Sequence, residues 1–191
     1  MKNLLFLFLF FIFTAKVFAQ NDYYPLKKGK TWIYQYSDDF ISASGNQSRI
    51  KILEEQEIIE GKRYYVLQTS IGDENQFDVL QTSYLRNGEN GLVYGLANAK
   101  MAKEHILIAE HPLEIGKTWT AEADGQKSSS VISGTNEKLI TPEKTFNHCL
   151  VIETEMGDAR IRSYFQKGVG LVASTLILPE GEKLMQYLVN Q

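Results

Sequence analysis

Pro25-Leu26-Lys27-Lys28-Gly29-Lys30-Thr31-Trp32 is answered 87 positions later by Pro112-Leu113-Glu114-Ile115-Gly116-Lys117-Thr118-Trp119, with Pro, Leu, Gly, Lys, Thr and Trp at the same internal spacing. Each copy reads as a glycine-containing turn that launches a strand led by a tryptophan. Beyond the first turn, Trp32, Tyr34 and Tyr36 alternate with Ile33, Gln35 and Ser37. A period of two is the mark of a strand with one buried face. The rest of the chain follows suit, with short alternating runs, polar or glycine turns between them, and almost no helical periodicity.

A second match supports the first. Ser83-Tyr84-Leu85-Arg86-Asn87-Gly88, followed by Gly91-Leu92-Val93, parallels Ser163-Tyr164-Phe165-Gln166-Lys167-Gly168, followed by Gly170-Leu171-Val172. Two matched motifs in the same order predict a duplicated unit of about six strands, with copies at about 22–108 and 109–191. Solenoids usually need three or more repeats, so two copies predict one pseudo-symmetric domain over 20–191. The expected fold is all-β, with about twelve mostly antiparallel strands. Three closures stay open: one curved sheet, a barrel, or a sandwich.

The first residues carry an address. Met1-Lys2-Asn3 is a short basic start, Leu4 to Phe13 is an unbroken apolar run, and Val17-Phe18-Ala19 ends in the small-residue pattern read by signal peptidase. Ten apolar residues fall short of the roughly 20 that span a bilayer as a helix. The expectation is a signal peptide over 1–19, cleavage near Ala19, and a periplasmic or extracellular product without stable membrane insertion. That product has 172 residues and a formal charge of −5. An acidic balance argues against nucleic acid as a partner. Cys149 is the only cysteine, so packing must stabilise the domain without an internal disulfide.

One hairpin can be assigned a register. Gly157-Asp158 reads as a two-residue turn, which sets Glu155 opposite Arg160 and Glu153 opposite Arg162, with Ile152 opposite Ser163 and Leu150 opposite Phe165 on the other face. The four charged residues read as a solvent-face ladder, each pair contributing about 0.2–1 kcal/mol.

The chemical inventory is thin. His105, His111 and His148 share no metal-ligand spacing, and His148 and Cys149, as strand neighbours, point to opposite faces. No nucleophile elbow, zinc-protease motif, phosphate loop or dinucleotide fingerprint occurs, so no catalytic residue, metal or cofactor is assigned. Asn46-Gln47-Ser48 fits a glycosylation acceptor. The candidate ligand-binding residues are aromatic and small: Trp32, Tyr34 and Tyr36 in the first copy, and Trp119, Ala121 and Ala123 at the matched positions of the second. Complementary core packing explains such a set, and so does a groove lined by the rings and left open by the alanines.

The combination Tyr24-Pro25-Leu26-x-x-Gly29-x-x-Trp32-x-Tyr34, Thr145-Phe146-x-x-Cys149-Leu150-Val151 and Tyr164-Phe165-x-x-Gly168-Val169-Gly170-Leu171-Val172 resembles a broad group of exported bacterial β-rich proteins, largely of unassigned function. The resemblance covers essentially the whole of 20–191 and implies a fold more than an activity. Members of that group often carry a lipid-anchoring cysteine after the signal peptide; this chain has none there. The expected role is an exported, non-catalytic domain that holds a small apolar or mixed ligand. The alternative is an interaction module of the cell envelope that docks a protein or glycan through edge strands or loops. Oligomeric state is not fixed by these residues.

Overall fold

The computed structural model describes residues 23–40, 45–73, 76–96, 104–109, 111–123 and 126–191. The leader read at 1–19 lies outside them. Twelve strands run in chain order: β1 (Thr31–Tyr36), β2 (Gln47–Ile59), β3 (Lys62–Gly72), β4 (Phe77–Asn87), β5 (Val93–Leu96), β6 (His105–Ile108), β7 (Thr118–Ala123), β8 (Gln126–Ile140), β9 (Thr145–Met156), β10 (Ala159–Gln166), β11 (Gly170–Leu178) and β12 (Gly181–Asn190). Only two single turns of 3-10 helix, Asp38–Phe40 and Glu89–Gly91, interrupt them among the described residues. No helix there is long and apolar enough to cross a membrane.

All twelve strands belong to one antiparallel sheet in the order β6-β5-β4-β3-β2-β1-β12-β11-β10-β9-β8-β7. Every ladder joins neighbours in sequence except that between β1 and β12, where Tyr34 lies opposite Leu188 and Gln35 opposite Tyr187. The sheet curls until its two edges, β6 and β7, approach one another, giving a nearly closed barrel. Of the three closures the sequence allowed, the one observed is a single curved sheet that comes close to a barrel.

The two Pro-Leu-x-x-Gly turns are built alike. Gly29 donates to the Ile52 carbonyl at 2.9 Å, Lys30 to Lys27 at 3.1 Å, and Ile52 to Lys30 at 2.8 Å; Gly116 to Ile132, Lys117 to Glu114, and Ile132 to Lys117 repeat the set at 2.8, 3.1 and 3.0 Å. Both glycines take positive φ, 75° and 88°, which a side chain would strain. The tryptophans that follow do not match. Trp32 is fully buried, whereas Trp119 is half-buried.

Two apolar clusters form the core and share Tyr24, Leu107 and Leu171. One is built on Trp32, Tyr34, Ile52, Leu67, Leu85 and Leu188, the other on Val93, Ile108, Ile132, Leu150, Ile152 and Phe165. Tyr24 bridges them, its ring 6.1 Å from that of Trp32 and 6.3 Å from that of Phe165. Burial drives its hydroxyl pKa up to about 12. A third cluster, Tyr64, Val66, Tyr84 and Leu96, occupies the opposite face of β3 to β5, since Val66 alternates with Leu67 and Tyr84 with Leu85.

Candidate functional site

The sheet fails to close between β6 and β7. β5 occupies one edge of β6, from Gly95–His105 to Val93–Ile108, and β8 occupies one edge of β7, from Thr118–Val131 to Ala123–Gln126. No ladder joins the two remaining edges, which face each other. At one point a side chain bridges the seam, where the Trp119 indole N–H donates to the Ile106 carbonyl at 3.2 Å. Beyond that bond the seam opens into a cleft of about 920 Å³. Its β6 wall carries Glu104, His105 and Ile106 with Tyr94 beside them; its β7 wall carries Thr120, Ala121 and Glu122, backed by Lys127, Ser128, Ser129 and Glu155.

Strand alternation sorts the β7 wall into two faces. Trp119 packs against the core, so Ala121, two residues on, shares its inward face, and Ser128, its cross-strand partner, does likewise. Thr120 and Glu122, with partners Ser129 and Lys127, lie on the outward face. The inward side is thus small and uncharged, and the outward side is charged.

The other wall is rigid for an electrostatic reason. Glu104 accepts hydrogen bonds from Arg86 Nη2 at 2.7 Å and Lys62 Nζ at 2.8 Å, and further ones from Arg86 Nε and the Tyr64 hydroxyl. Burial alone would raise its pKa; the bonds from Arg86, Lys62 and Tyr64 outweigh burial and hold the carboxyl at about 2. The Arg86 guanidinium also lies 4.1 Å from the centre of the Tyr94 ring, which fixes that ring at the cleft edge. The His105 ring packs where a side chain on Gly95 would project, and burial lowers its pKa, favouring the neutral ring.

The six residues singled out in the sequence are not brought together. Ala121 lines the cleft. Trp119 closes its narrow end through the bond to Ile106. Trp32 and Tyr34 are core residues, each 2% exposed, and donate to the Val169 and Leu171 carbonyls at 2.7 and 3.1 Å. Tyr36 is half-buried opposite Gln186 on β12, and Ala123 ends β7. The contribution of Glu104, Lys62, Tyr64 and Arg86 escaped the sequence reading, since the other three lie 18 to 42 positions from Glu104 and the four share no motif.

The hairpin at Gly157-Asp158 has the expected register, with Glu155 opposite Arg160, Glu153 opposite Arg162 and Leu150 opposite Phe165. The solvent-ladder reading is corrected at one member. Glu153 is 6% exposed and takes both arginines, Arg160 Nη2 at 2.6 Å and Arg162 Nη2 at 2.8 Å. Burial opposes its ionisation, but the two guanidinium groups prevail and lower its pKa. Arg162 also bonds Glu182, which accepts from the Tyr164 hydroxyl at 3.2 Å and from Thr175. This network braces β9 to β12 and lies outside the cleft except through Glu155, whose carboxylate is 3.6 Å from Arg160.

Among the described residues no three His, Cys, Asp or Glu side chains gather as a metal site. Cys149 is fully buried, and burial followed by the charge of Glu137 raises its pKa to about 11, so it is a packed thiol rather than a nucleophile. His148 sits exposed beside it, with Nδ1 2.5 Å from the Asn136 side-chain oxygen. The Asn46 side-chain oxygen is buried without a hydrogen-bond partner, and Ser48 is 5% exposed in β2.

No protein-family model and no curated protein matches the chain. Two solved structures resemble it. A candidate lipoprotein from Parabacteroides distasonis aligns over 89% of this chain and 97% of its own at 13% identity, with a TM-score of 0.46. A candidate exported protein from Bacteroides fragilis, described as having a YmcC-like fold, aligns over 87% of this chain and 95% of its own at 13% identity, with a TM-score of 0.51. At that identity the likeness shows the fold alone: the chain is similar in architecture to the YmcC-like fold.

Proposed function

We propose that the chain is an exported, non-catalytic binding domain that holds a ligand of mixed apolar and polar character in the cleft between β6 and β7. The observation that carries this reading is the cleft of about 920 Å³ where, among the described residues, the sheet stays open between β6 and β7. Its lining combines Tyr94, Ile106 and Ala121 with the carboxylates of Glu104, Glu122 and Glu155, the Lys127 ammonium and the hydroxyls of Thr120, Ser128 and Ser129. Small-molecule sites have this composition, an apolar wall with a few placed polar groups. The same proposal takes 22–108 and 109–191 as copies of one six-strand unit, supported by the matched hydrogen bonds of the two glycine turns.

Ala121→Trp fills the inward floor of the cleft with a ring in place of a methyl group. Native mass spectrometry of protein recovered from its own host should show a bound small molecule on the wild-type chain and none on the variant, at a melting temperature within a few degrees of the original. Equal occupancy in both, or none in the wild type, would count against the cleft as the site. Export has its own check. The intact mass of the recovered protein should lack residues 1–19, and retention of Met1 to Ala19 would remove the address from the reading.

A further inference from the structure

We infer that a hollow beside the first glycine turn is a second binding site, one that takes a phosphate group. The hollow, of about 590 Å³, is lined by Pro25 and Lys27 to Lys30 of that turn, by Gly168 of the turn between β10 and β11, and by Gln191 after β12. β1, β12, β11 and β10 are neighbours in the sheet, which brings these pieces of chain to one end of it. Every charged side chain in the lining is a lysine: Lys27, Lys28 and Lys30.

The turn does not need those lysines to fold. Its counterpart at Gly116 forms the same three main-chain hydrogen bonds with Glu114 and Ile115 in the places of Lys27 and Lys28. Like charges so close together repel, a cost that the second copy avoids on the same backbone. Nor does the protein neutralise them. Lys27 and Lys28 are exposed, and among the described residues neither makes an ion pair. The Glu54 carboxylate lies against Gly29, where an added Cβ would come within 2.8 Å of its Oε1, but it neither lines the hollow nor pairs with any of the three lysines. The terminal carboxylate of Gln191 forms no ion pair with them either.

Lys30 is already positioned. Its ammonium donates to the Gly168 carbonyl at 3.0 Å and lies 5.2 Å from the centre of the Trp32 ring. The Trp32 indole N–H holds the next carbonyl, that of Val169, at 2.7 Å, so the far wall is fixed by the same pair of residues. An ammonium has three donors, and the bond to Gly168 uses one of them. Burial, and then the charge of Lys27, lower the Lys30 pKa, which is the mark of a cation without a counter-charge. An oxyanion in the hollow would accept from the free donors and relieve the repulsion together. A phosphate group, with acceptor oxygens on several sides and more than one charge, suits three ammonium groups better than a single carboxylate does.

Inorganic pyrophosphate is the probe, titrated at low ionic strength with amide shifts as the readout. Saturable shifts should appear at Lys27 to Lys30 and at Gly168. Lys27→Glu combined with Lys28→Ile copies the second turn, so it should melt as the wild type does yet bind about tenfold more weakly, the scale of one lost charge-assisted bond. Arg63→Glu, which reverses an exposed charge outside the hollow, should leave binding unchanged. No saturable shift in the wild type, full binding in the double variant, or an equal loss in Arg63→Glu would overturn the inference. Ala121→Trp should bind pyrophosphate normally; loss of binding there would put the anion in the β6–β7 cleft and overturn it too. Vesicles of phosphatidylglycerol in phosphatidylcholine identify the source. Sedimentation of the wild type and not of the double variant assigns the phosphate to a lipid headgroup, and pyrophosphate binding without sedimentation assigns it to a free phosphorylated solute.

Discussion

Trp32→Ala is expected to lower stability by about 3–5 kcal/mol, the usual range for deleting a large buried aromatic ring. Trp32 is 2% exposed, its indole N–H donates to the Val169 carbonyl at 2.7 Å, and the Tyr24 ring leans on it at 6.1 Å. The Lys30 ammonium lies 5.2 Å from the ring centre, and Gly170 lies so close that an added Cβ would come within 3.0 Å of the indole nitrogen. Removing the ring therefore opens a cavity between both core clusters and strands a carbonyl. The same cut at Trp119 should cost about 2 kcal/mol, because that ring is half-buried and keeps one bond, at 3.2 Å. Urea unfolding at constant m-value measures both. Equal losses at the two positions would mean that the tryptophans play equivalent roles after all.

Glu104→Gln should cost about 2 kcal/mol near neutral pH, the scale of a lost charge-assisted hydrogen-bond set. Gln keeps the shape but turns an amide donor toward Arg86, itself only 19% exposed, so two donors face each other. Lys62 is 49% exposed and adds little. The pH dependence carries the signature. Burial raises the Glu104 pKa, but the bonds from Arg86, Lys62 and Tyr64 lower it by more, to about 2 against the ordinary 4.5. A carboxyl depressed on folding stabilises the native state fully above its ordinary pKa and loses that contribution as the pH falls through the native value. The gap in stability between wild type and variant should therefore be constant above about pH 5 and close between there and pH 2. A gap that persists at pH 2 would show that Glu104 acts through packing and not through charge.

The backbone of this fold was largely legible, and the physical reason is the period of two. Trp32, Tyr34 and the residues between them announce a half-buried strand whatever surrounds it, and Gly157-Asp158 fixes the register of its hairpin by turn geometry alone. Alternation also placed Ala121 on an inward face with room beside it. It could not say how deep a face lies. Glu153 and Glu155 belong to one side of β9, yet one is 6% exposed and the other lies in the open, because Arg160 and Arg162 both turn to the first. Nor could it locate the seam. The break falls between β6 and β7 because no ladder forms there, and the absence of a hydrogen bond leaves no residue pattern to read. The clamp around Glu104 depends on the start of β6 lying within reach of β4 and β3 across the intervening β5, a consequence of the sheet order rather than of sequence spacing.

The ladder between β1 and β12 has a bearing on how the molecule comes into being. Every other pairing is between strands made one after the other, so those hairpins can zip as they emerge. Thr31–Tyr36, however, waits for Gly181–Asn190, the last of the twelve strands to be made. Until that strand arrives, the buried rings of the first have no cover on one side, and the nascent chain carries a sticky flank of the kind that holdase chaperones protect.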